Sequence, residues 1–144
     1  MLSNTCKYAV RACIYLAMAE DVNQKIGIKK ISEDLKIPTP FLGKILQILA
    51  KNKLLSSTKG PNGGFNLGKP ANKITLMDIV KIIDGEEPFD TCVISLAGCV
   101  TEEKHCAIHE NYYKVREEIK KIFGNQTIEE LADHIKKGHD HLVI

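Results

Sequence analysis

The chain has 144 residues, 44% of them hydrophobic, enough for one compact domain, or a small domain with an appended arm, around a core of its own. No apolar run is long enough to span a bilayer and no basic leader with an apolar stretch and cleavage site opens the chain; with five cysteines, these features predict a soluble cytoplasmic protein in a reducing compartment rather than a disulfide scaffold. The net charge of +2 hides an asymmetry, because residues 1–74 carry twelve Lys/Arg against four Asp/Glu and residues 75–144 carry eight against fourteen, so only the front half suits an anionic polymer.

Residues 4–19 predict a helix with Val10, Cys13, Ile14, Ala17 and Met18 on its inner face, and Cys6 and Cys13 read as core packing. Residues 28–36 predict a short helix burying Ile31 and Leu35, stopped at Ile37-Pro38 because the residue before a proline avoids the helical region. Thr39 as N-cap and Pro40 as first helical residue open a helix to about Asn52, with Leu42, Ile45, Leu46 and Leu49 inward. Its other face presents Thr39, Pro40, Phe41, Gly43, Lys44, Gln47 and Lys51. Two short helices across a tight turn form a helix-turn-helix pattern, whose second helix enters the DNA major groove.

The segment that follows supports this expectation. Residues 54–58 predict a strand, 59–64 a Pro- and Gly-rich turn, and 65–67 a return strand with Phe65 and Leu67 inward, which together make a wing. Lys59 suits a phosphate, and Pro61, Asn62 and Gly63 make a tip slim enough for a minor groove. A nucleotide-binding Gly-rich loop is rejected, since no Gly-Lys-Ser/Thr ends it and no helix follows the glycines directly.

Thr75 caps a helix that ends at Gly85, with Leu76, Ile79, Val80 and Ile83 inward. Residues 86–106 read as a loop, long enough to expect a function. From Ala107 to Phe123, Ile108, Tyr112, Val115, Ile119 and Ile122 follow a 4, 3, 4, 3 spacing, a heptad seam suited to pairing with a second copy. Thr127 and Glu130 form a capping box for a last helix through Lys137, with Ile128, Leu131 and Ile135 on one side. His139-Asp140-His141 reads as a frayed polar terminus rather than a metal site.

The loop and the start of the seam hold Cys92, Cys99, Cys106 and His109 as C-x6-C-x6-C-x2-H. Three thiolates and an imidazole are ligands for an iron-sulfur cluster or zinc, whereas the spacers lack the tight C-x2-C turns of zinc fingers and bacterial ferredoxins. The competing readings are scattered thiols or a redox disulfide. The segment is half polar and has no continuous period, unlike the apolar surroundings usual for structural cysteines. His105 beside Cys106 could form a Cys-His pair, but no oxyanion turn or substrate pocket is legible nearby, so an enzyme is not expected.

The run Lys7-Tyr8-Ala9-Val10-Arg11, the segment from Ile31-Ser32 to Phe41-Leu42 with Ile45-Leu46, the wing 59–67 and the Cys92/Cys99/Cys106/His109 set together resemble the winged-helix iron-sulfur regulators typified by IscR, NsrR and CymR. The resemblance runs over nearly the whole chain and keeps the motifs in order. It implies a homodimer formed through the helix after the cysteine loop, binding to imperfect palindromes in double-stranded DNA, and iron held by the three cysteines. His109 matches the histidine that completes a [2Fe-2S] site in IscR-like members. Lys7 stands where NsrR-like members supply an acid for a [4Fe-4S] site, which favours the His-ligated type.

Both cysteine spacers are one residue longer than the C-x5-C-x5-C of those regulators. Gly43 replaces a base-reading Glu of IscR-like members, and Gly cannot accept a hydrogen bond from a cytosine amino group, so a different operator is expected. The expected architecture is mostly α with a small β hairpin. Residues 1–85 form a winged helix-turn-helix, 86–106 a cysteine-bearing sensor loop, and 107–144 a dimerisation helix and a C-terminal helix. The expected function is a transcription regulator sensing iron-sulfur status, redox or nitric oxide, with a cluster-free thiol regulator of the same fold or a small iron-sulfur redox protein as alternatives.

Overall fold

A computed structural model of the protein describes residues 2–21, 23–85, 87–90 and 107–138. Helix α1 (Asn4–Ala17) starts at Ser3, whose side chain accepts a hydrogen bond from the Cys6 backbone N–H. Cys6, Ala9, Ala12, Cys13, Ile14, Leu16 and Ala17 are all buried, so the helix is covered on more than one side. This corrects the inner face expected from spacing: Val10 and Met18 lie at its half-buried margins, and the tightest packing runs through Cys6, Ala9, Ala12 and Cys13, all 0% exposed. Alanines and cysteines are small enough for several elements to close around one helix, and apolar periodicity underweights them.

Helix α2 (Ile28–Leu35) ends at Lys36, which takes the left-handed conformation at φ 53°. Helix α3 (Thr39–Lys51) buries Leu42, Ile45, Leu46 and Leu49, as expected. Its N-cap is Pro38, not Thr39. The Thr39 hydroxyl instead meets the Ser32 hydroxyl at 2.8 Å, and Ser32 donates to the Ile37 carbonyl at 2.6 Å, so both side chains tie the α2–α3 turn together.

Strands β1 (Leu55–Thr58) and β2 (Gly64–Leu67) pair antiparallel with Leu55 opposite Leu67 and Thr58 opposite Gly64. Ile26 adds a contact unseen in the sequence, exchanging two 2.9 Å backbone hydrogen bonds with Phe65. The wing is thereby pinned beside the start of α2. Gly64 has φ +149°, and a Cβ there would lie 2.4 Å from the Ile26 carbonyl oxygen, so the backbone angle and the close approach both require glycine.

Helix α4 (Leu76–Ile83) starts with a full capping box between Thr75 and Asp78. The Asp84 carboxylate after it accepts from the Ser3 backbone N–H at 2.8 Å and the Ser3 hydroxyl at 2.5 Å, tying the end of α4 to the start of α1. Within the expected loop 86–106 a short helix forms, α5 (Glu87–Asp90), which corrects the purely irregular reading of that stretch. Phe89 causes this locally: its ring is 7% exposed and packs 5.4 Å from Phe123.

Helix α6 (His109–Asn125) begins two residues later than expected, and α7 (Ile128–Lys136) has the expected capping box between Thr127 and Glu130. Backbone bonds from Ile128 to Ile74 (2.9 Å) and from Leu76 to Gln126 (3.0 Å) join the start of α7 to the start of α4. Ile128 and Ala132 then enter the same core as α1, at 0% and 2% exposure. The C-terminal helix therefore completes the winged-helix core. Among the described residues no helix is long and apolar enough to cross a membrane.

Candidate nucleic-acid interface and sensor site

Pro40, Phe41, Lys44, Gln47 and Lys51 are exposed along α3, while Thr39 and Gly43 are half-buried. The sequence thus separates the exposed face of α3 from its core face, apart from two positions. Thr39 is engaged in the turn, and a Cβ at Gly43 would meet the Ile28 side chain at 3.2 Å, which places this glycine partly under the first residue of α2. Lys59, Pro61 and Asn62 are exposed at the wing tip, where Gly63 donates to the Gly60 carbonyl at 2.9 Å.

A groove of about 820 Å³ runs between the start of α2, α3 and the wing, lined by Lys29, Gln47, Thr58, Lys59 and Pro61 among others. It brings Gln47 and Lys59 to one concave surface. Lys29 joins them and was missed by sequence reasoning, because its place depends on the Ile26–Phe65 pairing, which leaves no periodic signal.

The Lys7–Arg11 run braces α3 and the end of α2. Tyr8 meets Phe41 edge-on at 5.7 Å between ring centroids, Arg11 lies 5.9 Å over the Tyr8 ring, and Arg11 also reaches the Leu35 carbonyl at 3.4 Å. Further along, the Tyr15 hydroxyl donates to Asp34 at 2.5 Å and Lys30 donates to the same carboxylate at 2.9 Å. Burial, then the Asp34 contact, pushes the Tyr15 hydroxyl up to about 12, while Lys30 and then Tyr15 hold Asp34 below the usual carboxylate range. Two anchors thus fix the α2–α3 pair on α1.

Cys92, Cys99 and Cys106 lie outside the described residues, as do His105 and the tail His139–His141. His109 is the first residue of α6, half-buried, its ring stacked on Tyr113 at 5.8 Å and 19°. Arg116 lies 5.4 Å over the other ring of this pair, Tyr113, and donates to the Asp90 carbonyl at 3.4 Å; Lys120 pairs with the Asp90 carboxylate at 2.8 Å. The hydrogen bond to Asp90 is the main cause raising Lys120 above the usual lysine range.

The expected heptad seam splits in two. Ile119 and Phe123 pack on the chain's own core, whereas Ile108, Val115 and Ile122, seven residues apart, are 38%, 55% and 58% exposed. Tyr112 sits between, half-buried.

A helix-turn-helix followed by a hairpin, presenting one exposed face with lysines on both parts, defines a winged-helix DNA-binding regulator. A family model described as "Iron-dependent Transcriptional regulator", named Rrf2, matches residues 2–134, and the chain belongs to this Rrf2 family. It is 32% identical over 140 residues to an HTH-type transcriptional regulator of Aquifex aeolicus (strain VF5), covering 96% of this chain and 95% of that one. It is 29% identical to the HTH-type transcriptional regulator IscR of Klebsiella pneumoniae (strain 342), over 92% of this chain and 80% of the relative. Among solved structures, CymR (YrzC), the global cysteine regulator of B. subtilis, superposes with a TM-score of 0.79 at 24% identity, covering 93% of this chain and 97% of that one. T. potens IscR gives 0.74 at 20% identity, covering 98% and 92%. The fold is theirs, and the protein is a transcription regulator, not an enzyme.

Proposed function

We propose that this Rrf2-family protein is a cytoplasmic, homodimeric regulator that binds an imperfect palindromic operator and senses iron-sulfur status, redox or nitric oxide through a [2Fe-2S] cluster on Cys92, Cys99, Cys106 and His109. The observation carrying the proposal is the position of His109. It opens the helix that follows the cysteine segment, and its ring is held by Tyr113 at the segment's end. Three thiols and one imidazole fit such a cluster, and the iron-dependent description of the family supports iron over zinc. When bound, a cluster would supply a redox- and nitric-oxide-sensitive centre.

In this reading residues 1–85, with α7 completing their core, form the DNA-reading unit, 86–106 sense, and 107–144 dimerise. Thr39, Pro40, Phe41, Gly43, Lys44, Gln47 and Lys51 approach the major groove, with Thr39 and Gly43 acting mainly through the shape of the turn. Lys59, Pro61, Asn62 and Gly63 approach the flanking minor groove. Ile108, Val115 and Ile122 supply the partner-facing stripe. An open apolar groove of about 520 Å³, lined by Leu2, Val10, Leu76 and Phe123 with Lys7 and Arg11, lies between α1, α4 and α6.

The switch follows from how the sensor segment is held. Asp90 within it is bound to α6 by Lys120 and Arg116, His109 just after it opens α6, and α6 packs on α4. Altered ligation at His109 shifts the helix end beside the partner, and so the separation of the two reading heads. The ligand state sets the population of the DNA-competent form through its differential stability in the two arrangements.

Anaerobic purification with iron and sulfide analysis tests the assignment. About two irons and two sulfides per subunit are expected. His109→Ala should weaken retention while leaving DNA binding by the folded head measurable, and His105→Ala should do much less. Stoichiometric zinc, or a metal-free protein that switches through a reversible disulfide, would replace the cluster with the thiol-based alternative.

A further inference from the structure

We infer that Tyr113 and Arg116 are positioning residues that fix the His109 ring and the start of the cysteine-bearing segment to one face of α6. The inference rests on the reading of His109 as the fourth ligand and extends it to residues that touch neither iron nor DNA.

His109, Tyr113, Arg116 and Lys120 are spaced 4, 3 and 4 residues apart, so they form one column along the helix. The imidazole stacks on Tyr113 at 5.8 Å and 19°. The Arg116 guanidinium lies 5.4 Å from the centroid of the same tyrosine and reaches the Asp90 carbonyl at 3.4 Å. Lys120 holds the Asp90 carboxylate at 2.8 Å, so Asp90 is gripped through both its main chain and its side chain. Residue 90, just before the cysteines, and residue 109, just after them, are thereby registered against a single column.

Core packing does not account for this arrangement. Tyr113 is 46% exposed, and Arg116 keeps its Nε buried with no hydrogen-bond partner among the described residues. The guanidinium keeps its place over the ring and on the Asp90 carbonyl together. The chemistry of the column suits a ligand. Stacking restrains an imidazole through its face, while ligation uses a nitrogen in the ring plane, so the ring can be oriented without competition for the metal-binding edge. Outer residues that orient a metal-bound imidazole commonly change metal retention about 10–100-fold when removed.

Two measurements on the full chain decide the matter. In cluster-free protein the imidazole proton resonances of His109, assigned by their loss in His109→Ala, should be shifted upfield by the Tyr113 ring. Tyr113→Phe should preserve that shift, Tyr113→Leu should abolish it, and Arg116→Met should reduce it. A His109 resonance indifferent to Tyr113→Leu would overturn the inference.

In anaerobically loaded protein, cluster loss to a chelator, followed by visible absorption, should be about 10-fold or more faster in Tyr113→Leu and unchanged in Tyr113→Phe. Equal rates in wild type and Tyr113→Leu would also overturn it. A wild-type chain that takes up no iron refutes the cluster reading instead, and the resonance measurement then decides the positioning role by itself.

Discussion

Lys59 and Gln47 line the same groove but belong to different chemistries. A lysine at a wing tip neutralises a phosphate, so Lys59→Ala should weaken binding on every sequence alike and lower the salt slope of the affinity by about 1, read from gel shifts at several ionic strengths. Lys44 and Gln47 stand on the exposed face of α3, and replacing either should change which bases are preferred, as a selection from randomised operators would reveal. Uniform losses on all sequences would reassign them to phosphate contacts. The buried thiols lead to a different prediction. Burial above all pushes Cys6 and Cys13 from 9.0 to about 12, with Asp84 adding to the effect at Cys6 and Cys6 at Cys13. From pH 9 to 12 the unfolded chain releases thiol protons that the folded chain keeps. Their contribution is complete below pH 9 and is lost as pH rises towards 12. Urea melts at pH 8 and pH 10.5 should show a fall in stability that is smaller in the Cys6→Ala/Cys13→Ala variant.

At the scale of elements, α6 has one apolar face in the chain's own core and another that is exposed. Ile119 serves the chain's own core, so a charge there would disturb folding, whereas Val115 and Ile122 are more than half exposed. Val115→Lys with Ile122→Lys should give a folded monomer of nearly unchanged melting temperature that binds half-sites weakly, because in a dimer those charges would be buried without partners at several kcal/mol. An unchanged sedimentation coefficient would place the dimer contact elsewhere. The same helix shows what a sequence makes legible. The heptad spacing locates α6 but cannot say which apolar residues turn to their own chain, since Ile119 and Ile122 have the same chemistry and differ only in what lies beside them. Local signals are read most reliably: both capping boxes, at Thr75 and Thr127, start their helices as expected. Features set by distant partners leave no such trace, as with the single-residue pairing of Ile26 and the four-residue α5 held by Phe89. For the candidate site the residue types were legible, whereas the Tyr113–Arg116–Asp90 arrangement needed the fold.

Across the whole molecule the charge asymmetry acquires a direction. The twelve basic residues of the first 74 include the exposed lysines of α3 and the wing, while residues 75–144 carry fourteen Asp/Glu against eight Lys/Arg. A dimer neutralising on the order of 6–10 phosphates should lose about 10³–10⁵ in affinity between 50 and 200 mM salt, a dependence that fluorescence anisotropy with a labelled operator would measure. A flat response would mean that the lysines are not at the DNA.

The grip on Asp90 also bears on how such a regulator can diverge. With residue 90 held to α6 by Lys120 and Arg116 and that helix itself opening at 109, the described residues on either side of the cysteines share a common support. For any flexible connection of this length, two further residues cost only about 0.1 kcal/mol of closure entropy. One extra residue in each spacer therefore leaves the DNA-reading head energetically indifferent. In a regulator that senses through this segment, the cysteines could therefore be respaced to take new chemistry while the head stays as it is, and input would evolve independently of output.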